Sequence, residues 1–220
     1  MARILITSGP TRQYLDPVRY ISNASSGQMG SCLVQAALDR GHEVILVSGP
    51  VLVDYPPEAT LIPVVSTEDM LQAATEAFTS CDGMIGAAAP CDYRPIEVAD
   101  HKLRKTGELL HLKLIETPDV VASLGASKRP DQWTVGFALE TEDARFRAIT
   151  KLQRKSCDLV VLNGATAINS ANNDVEIIAP GGDVLAAVSG TKMNVAERIV
   201  SVIQNRLIQC QSGDQVGRSP

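Results

Sequence analysis

The apolar residues of the chain fall into two alternating rhythms. Short runs of β-branched and aliphatic residues at Arg3–Thr7, Glu43–Val47, Leu61–Val65 and Gly83–Ala87 predict strands. Between them the apolar positions recur at helical spacing, over Ser26–Arg40 and over Thr67–Phe78. The second of these carries Met70, Leu71, Ala74 and Phe78 on one face, with Ser66 or Thr67 as its cap. Further on, Leu109–Ile115 alternates and predicts a strand with one wetter face. Pro118 at a first helical position predicts a helix over Asp119–Ala126. Trp133–Ala138 and Asp158–Asn163 read as strands, and Asp143–Ser156 as a helix rich in Arg and Lys. Val175–Ala179 and Val184–Val188, joined across Gly181-Gly182, predict a hairpin. Thr191–Gln209 is an amphipathic helix with Val195, Ile199, Val202, Ile203 and Leu207 on one face.

Strand and helix in alternation imply right-handed crossovers. The expected fold class is therefore α/β: a doubly wound, mostly parallel, Rossmann-like sheet with an added strand or flap region. Residues 1–210 are expected to form a single domain and 211–220 a disordered polar tail.

Composition narrows the classes. With 45% hydrophobic and 20% charged residues the chain suits an ordinary globular domain with a real core. A net charge of −5 supplies no basic field for nucleic acid, so any anion site must be local. Five scattered cysteines, Cys32, Cys81, Cys91, Cys157 and Cys210, form no C-x-x-C pair and read as reduced thiols. His42, His101 and His111 show no metal-ligand spacing. The chain opens on a core strand rather than a signal peptide, and no apolar run is long enough for a bilayer. A cytoplasmic protein without membrane partners is the expectation.

Four segments carry candidate chemistry. In the first, a strand ends in Ser8-Gly9-Pro10-Thr11-Arg12, a long polar loop follows with Asp16, Arg19 and Asn23, and Ser25-Ser26-Gly27 opens a helix whose apolar repeat begins at Met29. Unpaired amides and the positive end of the helix dipole favour an anion there. The alternative is a capped helix after a loop, but loops this long in compact domains usually have a task. The second is Ala87-Ala88-Ala89-Pro90-Cys91-Asp92-Tyr93-Arg94 at a strand end, where ligands of open α/β sheets bind. Asp92 would accept from a sugar or base, or pair with Arg94. The third is His101-Lys102-Leu103-Arg104-Lys105, a solvated surface or a clamp on a triphosphate. The fourth is the helix with Arg147, Lys151 and Lys155 at i, i+4 and i+8, a face that a bound anion would relieve or that Glu142 and Asp143 partly neutralise. Cys91 reads as a small loop residue rather than a nucleophile, and Trp133 as core or interface.

TSGPTR, DPVRYISNASSGQMG, AAAPCDYRP, HKLRK, TPDVV, VGFALET and the lysines at 151 and 155 occur in that order. With these motifs the chain resembles the phosphopantothenate–cysteine ligases (phosphopantothenoylcysteine synthetases) of coenzyme A biosynthesis, from about Arg3 to about Ile203. The resemblance implies activation of the 4′-phosphopantothenate carboxylate by CTP, with Mg²⁺ on the phosphates, to an acyl-cytidylate. Attack by the amine of L-cysteine then releases CMP. The CTP preference follows from the bacterial look of the motifs. The resemblance also implies roles for residues. Asn23 would contact the acyl group, with Arg19 near the same site, and Lys102 would serve CTP and the second step. Ser26, Gly27 and Met29 would receive phosphate, and Ala88 and Ala89 would line the intermediate pocket. Asp92 would bind the nucleotide. Pro118, Asp119, Val120, Val121 and Phe137 would surround base and sugar, and Lys151 and Lys155 would bind phosphate. No metal ligands are assigned. A homodimer is implied, in which each site borrows residues from the partner. With nothing ahead of Met1, the resemblance is to the stand-alone bacterial ligase, with a separate decarboxylase as one possible partner. Two departures stand out: Pro90-Cys91 where the family usually has Val-Ala, and Arg104 within an otherwise lysine run. The competing readings are a Rossmann-type NAD(P)- or flavin-dependent oxidoreductase, which lacks its glycine fingerprint here, and a non-catalytic nucleotide-binding module.

Overall fold

The computed structural model describes residues 1–139, 143–164 and 172–209. The expected tail, Cys210, and the Glu140, Thr141 and Glu142 positions lie outside these residues.

Six parallel strands make the heart of an eight-stranded sheet: β1 (Arg3–Ser8), β4 (Glu43–Ser48), β5 (Thr60–Pro63), β6 (Gly83–Gly86), β9 (Trp133–Leu139) and β10 (Leu159–Asn163). An antiparallel hairpin, β11 (Asn172–Ile178) and β12 (Val184–Thr191), extends it beyond β10. The order is β12-β11-β10-β9-β6-β1-β4-β5. The chain therefore builds outward from β1 in one direction and then from β6 in the other. The crevice beyond the carboxyl ends of β1 and β6 is the switch point where open α/β sheets hold ligands.

Alternate side chains of each strand serve opposite faces. Ile4, Ile6, Val44, Leu46, Val135 and Val161 face α1 (Gln28–Leu38) and α5 (Lys192–Ile203). Leu5, Val47 and Met84 face α2 (Thr67–Phe78) and α3 (Val120–Ser127), and Val160 and Leu162 face α4 (Ala144–Arg154). Both faces are covered, which is why the strands read as near-continuous apolar runs. Trp133 is core, 1% exposed. The doubly wound class is borne out.

Several local expectations are corrected. The loop after β1 is not all loop: β2 (Arg12–Tyr14) pairs antiparallel with β3 (Tyr20–Ser22), where Tyr14 meets Tyr20 edge-on. The strand expected over Leu109–Ile115 shrinks to β8 (Leu114–Glu116), paired with β7 (Tyr93–Pro95) as a small separate ribbon. Its alternation reflects exposure of Leu109, Leu110 and Leu112 rather than pairing. Pro118 does not take the first helical position. Asp119 caps α3 by accepting from the Ala122 amide at 3.0 Å, because a carboxylate one residue on satisfies an amide that proline's ring cannot. The helix expected from Asp143 runs Ala144–Arg154, so Lys155 is its C-terminal cap residue. The last helix begins at Lys192, capped by Thr191, and its final turn over Gln204–Ile208 is a π turn.

Candidate active site

The helix start flagged by the sequence lies at the switch point. Gly27 caps α1 with φ of 77°, no side chain caps the helix, and its first turn holds no acid. Only glycine tolerates that backbone cheaply. Gly30, one turn on, lies so close to β1 that a Cβ there would sit 2.0 Å from Ser8 Oγ. Beneath the turn, Ser8 Oγ donates to the Gly27 carbonyl at 3.3 Å and Tyr55 Oη donates to Ser8 Oγ at 2.9 Å, while Tyr55 and Ser48 share a 2.7 Å hydrogen bond. This network holds the helix start against the sheet, and the Gln28 amide has only a long contact of 3.4 Å to Ser26 Oγ.

A cavity of about 430 Å³ opens over that turn. Of the predicted residues it brings together Asn23, Ser26, Gly27, Met29, Ala88, Ala89 and Phe137. The backbone of the Ala87–Ala89 segment is already engaged. Ala87 N–H donates to the Thr7 carbonyl at 3.1 Å, and Ala89 N–H to the Gly9 carbonyl at 2.9 Å. These small residues therefore offer a floor rather than donors. Asn23 closes one side. Its amide nitrogen donates to the Pro90 carbonyl at 2.8 Å and to Ala89 at 3.3 Å. The acceptor is the backbone carbonyl that any residue at position 90 would offer, so the Pro90 departure removes an amide without disturbing this contact.

A second group gathers about α3. Thr117 N–H donates to the Asp92 carbonyl at 2.9 Å, tying the Pro118–Val121 segment to the Asp92 loop. Val121 packs on Gly86 and Gly136, against the sheet face opposite α1. Lys155 reaches Asp119 at 3.0 Å. A carboxylate that neutralises Lys155 is therefore Asp119, from a different element, while the expected Glu142 lies outside the described residues. Lys151 lies one turn back on α4, outside the cavity lining. Asp92 does not pair with Arg94, which bridges to Glu68 at 2.9 Å.

Arg19 and Lys102 form a third group. Asp16 is fully buried and accepts from the amides of Val18, Arg19 and Leu103 at 2.8, 2.9 and 3.1 Å. Burial alone would raise its pKa, but those amides outweigh it and hold the carboxyl below its usual value. Arg19 also donates to the Leu103 carbonyl. The loop bearing Arg19 is thereby clipped to the segment bearing the exposed Lys102, away from the cavity lining.

Sequence reasoning missed Asn163, Asn173 and Lys192, which line the inner end of the cavity. They arrive from the end of β10, the start of β11 and the start of α5, brought together by the antiparallel pairing of β10, β11 and β12. One signal was available: a lysine directly after a capping threonine stands where the helix dipole disfavours a cation.

The four described thiols are less readily ionised than a free cysteine. Burial pushes Cys81 and Cys157 up to about 11, and raises Cys91 and Cys32 as well. Among the described residues no group of three or more His, Cys, Asp or Glu side chains could hold a metal ion. No helix among them is long and apolar enough to cross a membrane.

Fold and site together define a doubly wound α/β domain whose glycine-capped helix start borders a cavity at the switch point. Residues 1–207 match the model of the DNA/pantothenate metabolism flavoprotein C-terminal domain, and the chain belongs to this family. It is 38% identical over 206 residues to the coenzyme A biosynthesis bifunctional protein CoaBC of Haemophilus influenzae, covering 92% of this chain and 51% of that protein. To the same protein of Escherichia coli it is 41% identical over 187 residues, covering 82% and 46%. The chain thus spans about half the length of these relatives. The crystal structure of the C-terminal domain of CoaBC superposes with a TM-score of 0.80 at 37% identity, covering 93% of this chain and 95% of that one. A Cab2 variant in complex with phosphopantothenate-cysteine shares the fold at 18% identity and a TM-score of 0.78, covering 97% and 88%. The resemblance to phosphopantothenoylcysteine synthetases is borne out at the level of the family, and the oxidoreductase alternative is not favoured.

Proposed function

We propose that this chain is a phosphopantothenate–cysteine ligase that uses CTP. The observation that carries the reading is the open start of α1 facing a cavity whose other walls are Asn23, Ala88 and Ala89. The amides of the first turn would hold phosphate oxygens, and the small floor residues let the substrate lie close to the backbone. The 4′-phosphopantothenate carboxylate would attack the α-phosphorus of CTP, and pyrophosphate would leave. The amine of L-cysteine would then attack the acyl carbon, lose a proton and expel CMP.

Both steps place charge on oxygens, so fixed donors matter more than a covalent nucleophile, in keeping with the upward shift that burial gives the Cys91 thiol. Asn23 would turn its amide from the Pro90 carbonyl to the acyl oxygen. Lys102, on an exposed segment clipped to the Arg19 loop, would close over the nucleotide, and Arg19 would act beside it. Asp92, Pro118–Val121 and Phe137 would take sugar and base. Lys151 and Lys155 would reach phosphates, Lys155 by exchanging Asp119 for the ligand. Mg²⁺ would enter on the nucleotide phosphates, where it neutralises the departing pyrophosphate; a hard cation that keeps its waters needs no protein cage. The exposed Leu109, Leu110, Leu112, Leu114 and Ile115 of the β7–β8 region favour a homodimer. A cytoplasmic setting and a decarboxylase partner complete the reading.

The test mixes the protein with 4′-phosphopantothenate, L-cysteine, Mg²⁺ and either CTP or ATP, and follows pyrophosphate. Release that depends on phosphopantothenate and on CTP is expected. Nucleotide binding without turnover would instead mark a non-catalytic module.

A further inference from the structure

Asn23 is an exposed residue whose side-chain amide donates to two backbone carbonyls, Pro90 at 2.8 Å and Ala89 at 3.3 Å. Such an amide is held only as firmly as the peptide that it bonds to. The Pro90 carbonyl belongs to the same planar unit as the Cys91 amide, so whatever fixes that N–H fixes the carbonyl. Proline has no amide of its own to tie this turn down. The Cys91 N–H donates to Thr11 Oγ1 at 2.8 Å, and Thr11 Oγ1 lies 2.8 Å from Thr67 Oγ1. Thr67, the first residue of α2, donates to the Cys91 carbonyl at 3.2 Å. A hydroxyl has one hydrogen. With that of Thr67 used on the carbonyl, Thr11 must donate to Thr67, and the groups close into a one-way ring around Cys91. Thr11 and Thr67 are fully buried and Cys91 is 2% exposed. Hydroxyls and amides at that depth are costly to leave unpaired, so the ring resists opening. Thr11 also holds the chain beside Asn23. Its carbonyl accepts from Ser22 Oγ at 2.9 Å, and Cys91 Sγ lies 3.4 Å from the carbonyls of both Thr11 and Ile21.

We propose that Thr11 and Thr67 are positioning residues: their hydroxyl ring locks the Pro90–Cys91 peptide and through it aims the Asn23 amide at the cavity. The task of Asn23 on the acyl group rests on the ligase reading, whereas the aiming of its amide does not. In that reading Asn23 turns from the Pro90 carbonyl to the acyl oxygen, so a fixed carbonyl sets where the turn begins. A loosened peptide lets the amide sample unproductive directions, which lowers turnover rather than nucleotide affinity. Neither threonine is among the residues that line the cavity, so each acts through Asn23 and not on the substrate.

The experiment uses the full chain, labelled with nitrogen-15, and the variants Thr11→Val and Thr11→Ser. Valine keeps the shape and removes the hydroxyl, and serine keeps the hydroxyl. If Thr11→Val does not fold, Thr67→Val takes its place, because Thr117 Oγ1 still donates to the Cys91 carbonyl at 2.5 Å. The side-chain NH₂ signals of Asn23 are identified by their loss in Asn23→Ala. In the valine variant they are expected to move toward those of a free asparagine amide, and in the serine variant to stay in place. In the ligation assay kcat is expected to fall about 10-fold in the valine variant, the scale of one buried hydrogen bond, with little change in KM for CTP and recovery in the serine variant. A general structural defect would add to the loss caused by Asn23→Ala. The valine substitution is instead expected to cost little more once Asn23 is alanine. Unmoved NH₂ signals in a folded valine variant overturn the proposal, as does an undiminished kcat, a loss that serine fails to restore, or one that adds fully to that of Asn23→Ala. A wild-type protein without ligase activity overturns the ligase reading alone, and the Asn23 signals then judge the threonines by themselves.

Discussion

The starts of α1 and α2 solve one problem in opposite ways. Each helix begins with amides that lack intrahelical partners. At α2, Ser66 accepts from the Asp69 amide at 3.0 Å while Asp69 accepts from the Ser66 amide at 2.9 Å, and Glu68 adds a second acid to the first turn. That is a complete capping box. At α1 a glycine in the left-handed region replaces the cap, no acid stands in the first turn, and a cavity lies in front. The difference teaches how to separate a structural helix start from a binding one. Where side chains satisfy the amides the helix is finished, and where a glycine withholds them they are available to a ligand.

The sharpest way to break the contrast is Gly30→Ala. The added Cβ would meet Ser8 Oγ at 2.0 Å and push α1 off β1. A loss of about 2–3 kcal/mol is expected by chemical denaturation, together with loss of CTP binding. A variant of native stability that binds CTP normally would mean that the helix start need not sit where it does. Next come paired deletions. Ser66→Ala should cost about 1 kcal/mol and leave CTP affinity alone. Ser26→Ala should do the reverse, since Ser26 caps nothing well, its hydroxyl lying 3.4 Å from the Gln28 amide. Equal effects on stability would erase the distinction.

Gln28→Glu converts α1 toward α2 by placing a carboxylate in the first turn. The apo protein should gain about 0.3–1 kcal/mol while CTP binds several-fold more weakly. Tighter binding would show that the dipole does not receive the phosphates. The smallest effect concerns pH. Hydrogen bonds from the Ser66 amide and hydroxyl lower the Asp69 pKa against the effect of burial. A folded pKa below the unfolded one contributes stability above the unfolded value, and that stability is lost as pH falls through the folded one. Acid titration of stability should therefore be shallower in Asp69→Asn, whereas α1, with no first-turn acid, contributes nothing in that range. An unchanged acid profile would count against the box.

Much of this was legible along the chain. The α2 boundaries and the candidate cap at Ser66 follow from short-range chemistry, since apolar spacing and a hydroxyl with an acid three residues on involve one turn only. The start of α1 was legible as a helix beginning after a long polar loop for the same reason. The Leu109–Ile115 alternation misled because period-two hydrophobicity reports a potential face, and whether that face finds a partner is a long-range matter. Arg94 chose Glu68 over Asp92, and Lys155 chose Asp119, because ion pairs are decided by which loops the sheet brings alongside.

Local pattern alone therefore determined the α/β class, most helix and strand positions, and the Ser26-Gly27 helix start that borders the cavity, while the joint placing of Asn23 and Ala88 came from the family resemblance. Tertiary structure decided the strand order, the hairpin inside the first loop, and the inner end formed by Asn163, Asn173 and Lys192. The physical reason is range. Amide satisfaction and side-chain periodicity act within a few residues, whereas Asn163, Asn173 and Lys192 meet only because β11 pairs with β10 and β12 and returns the chain to the same end of the sheet.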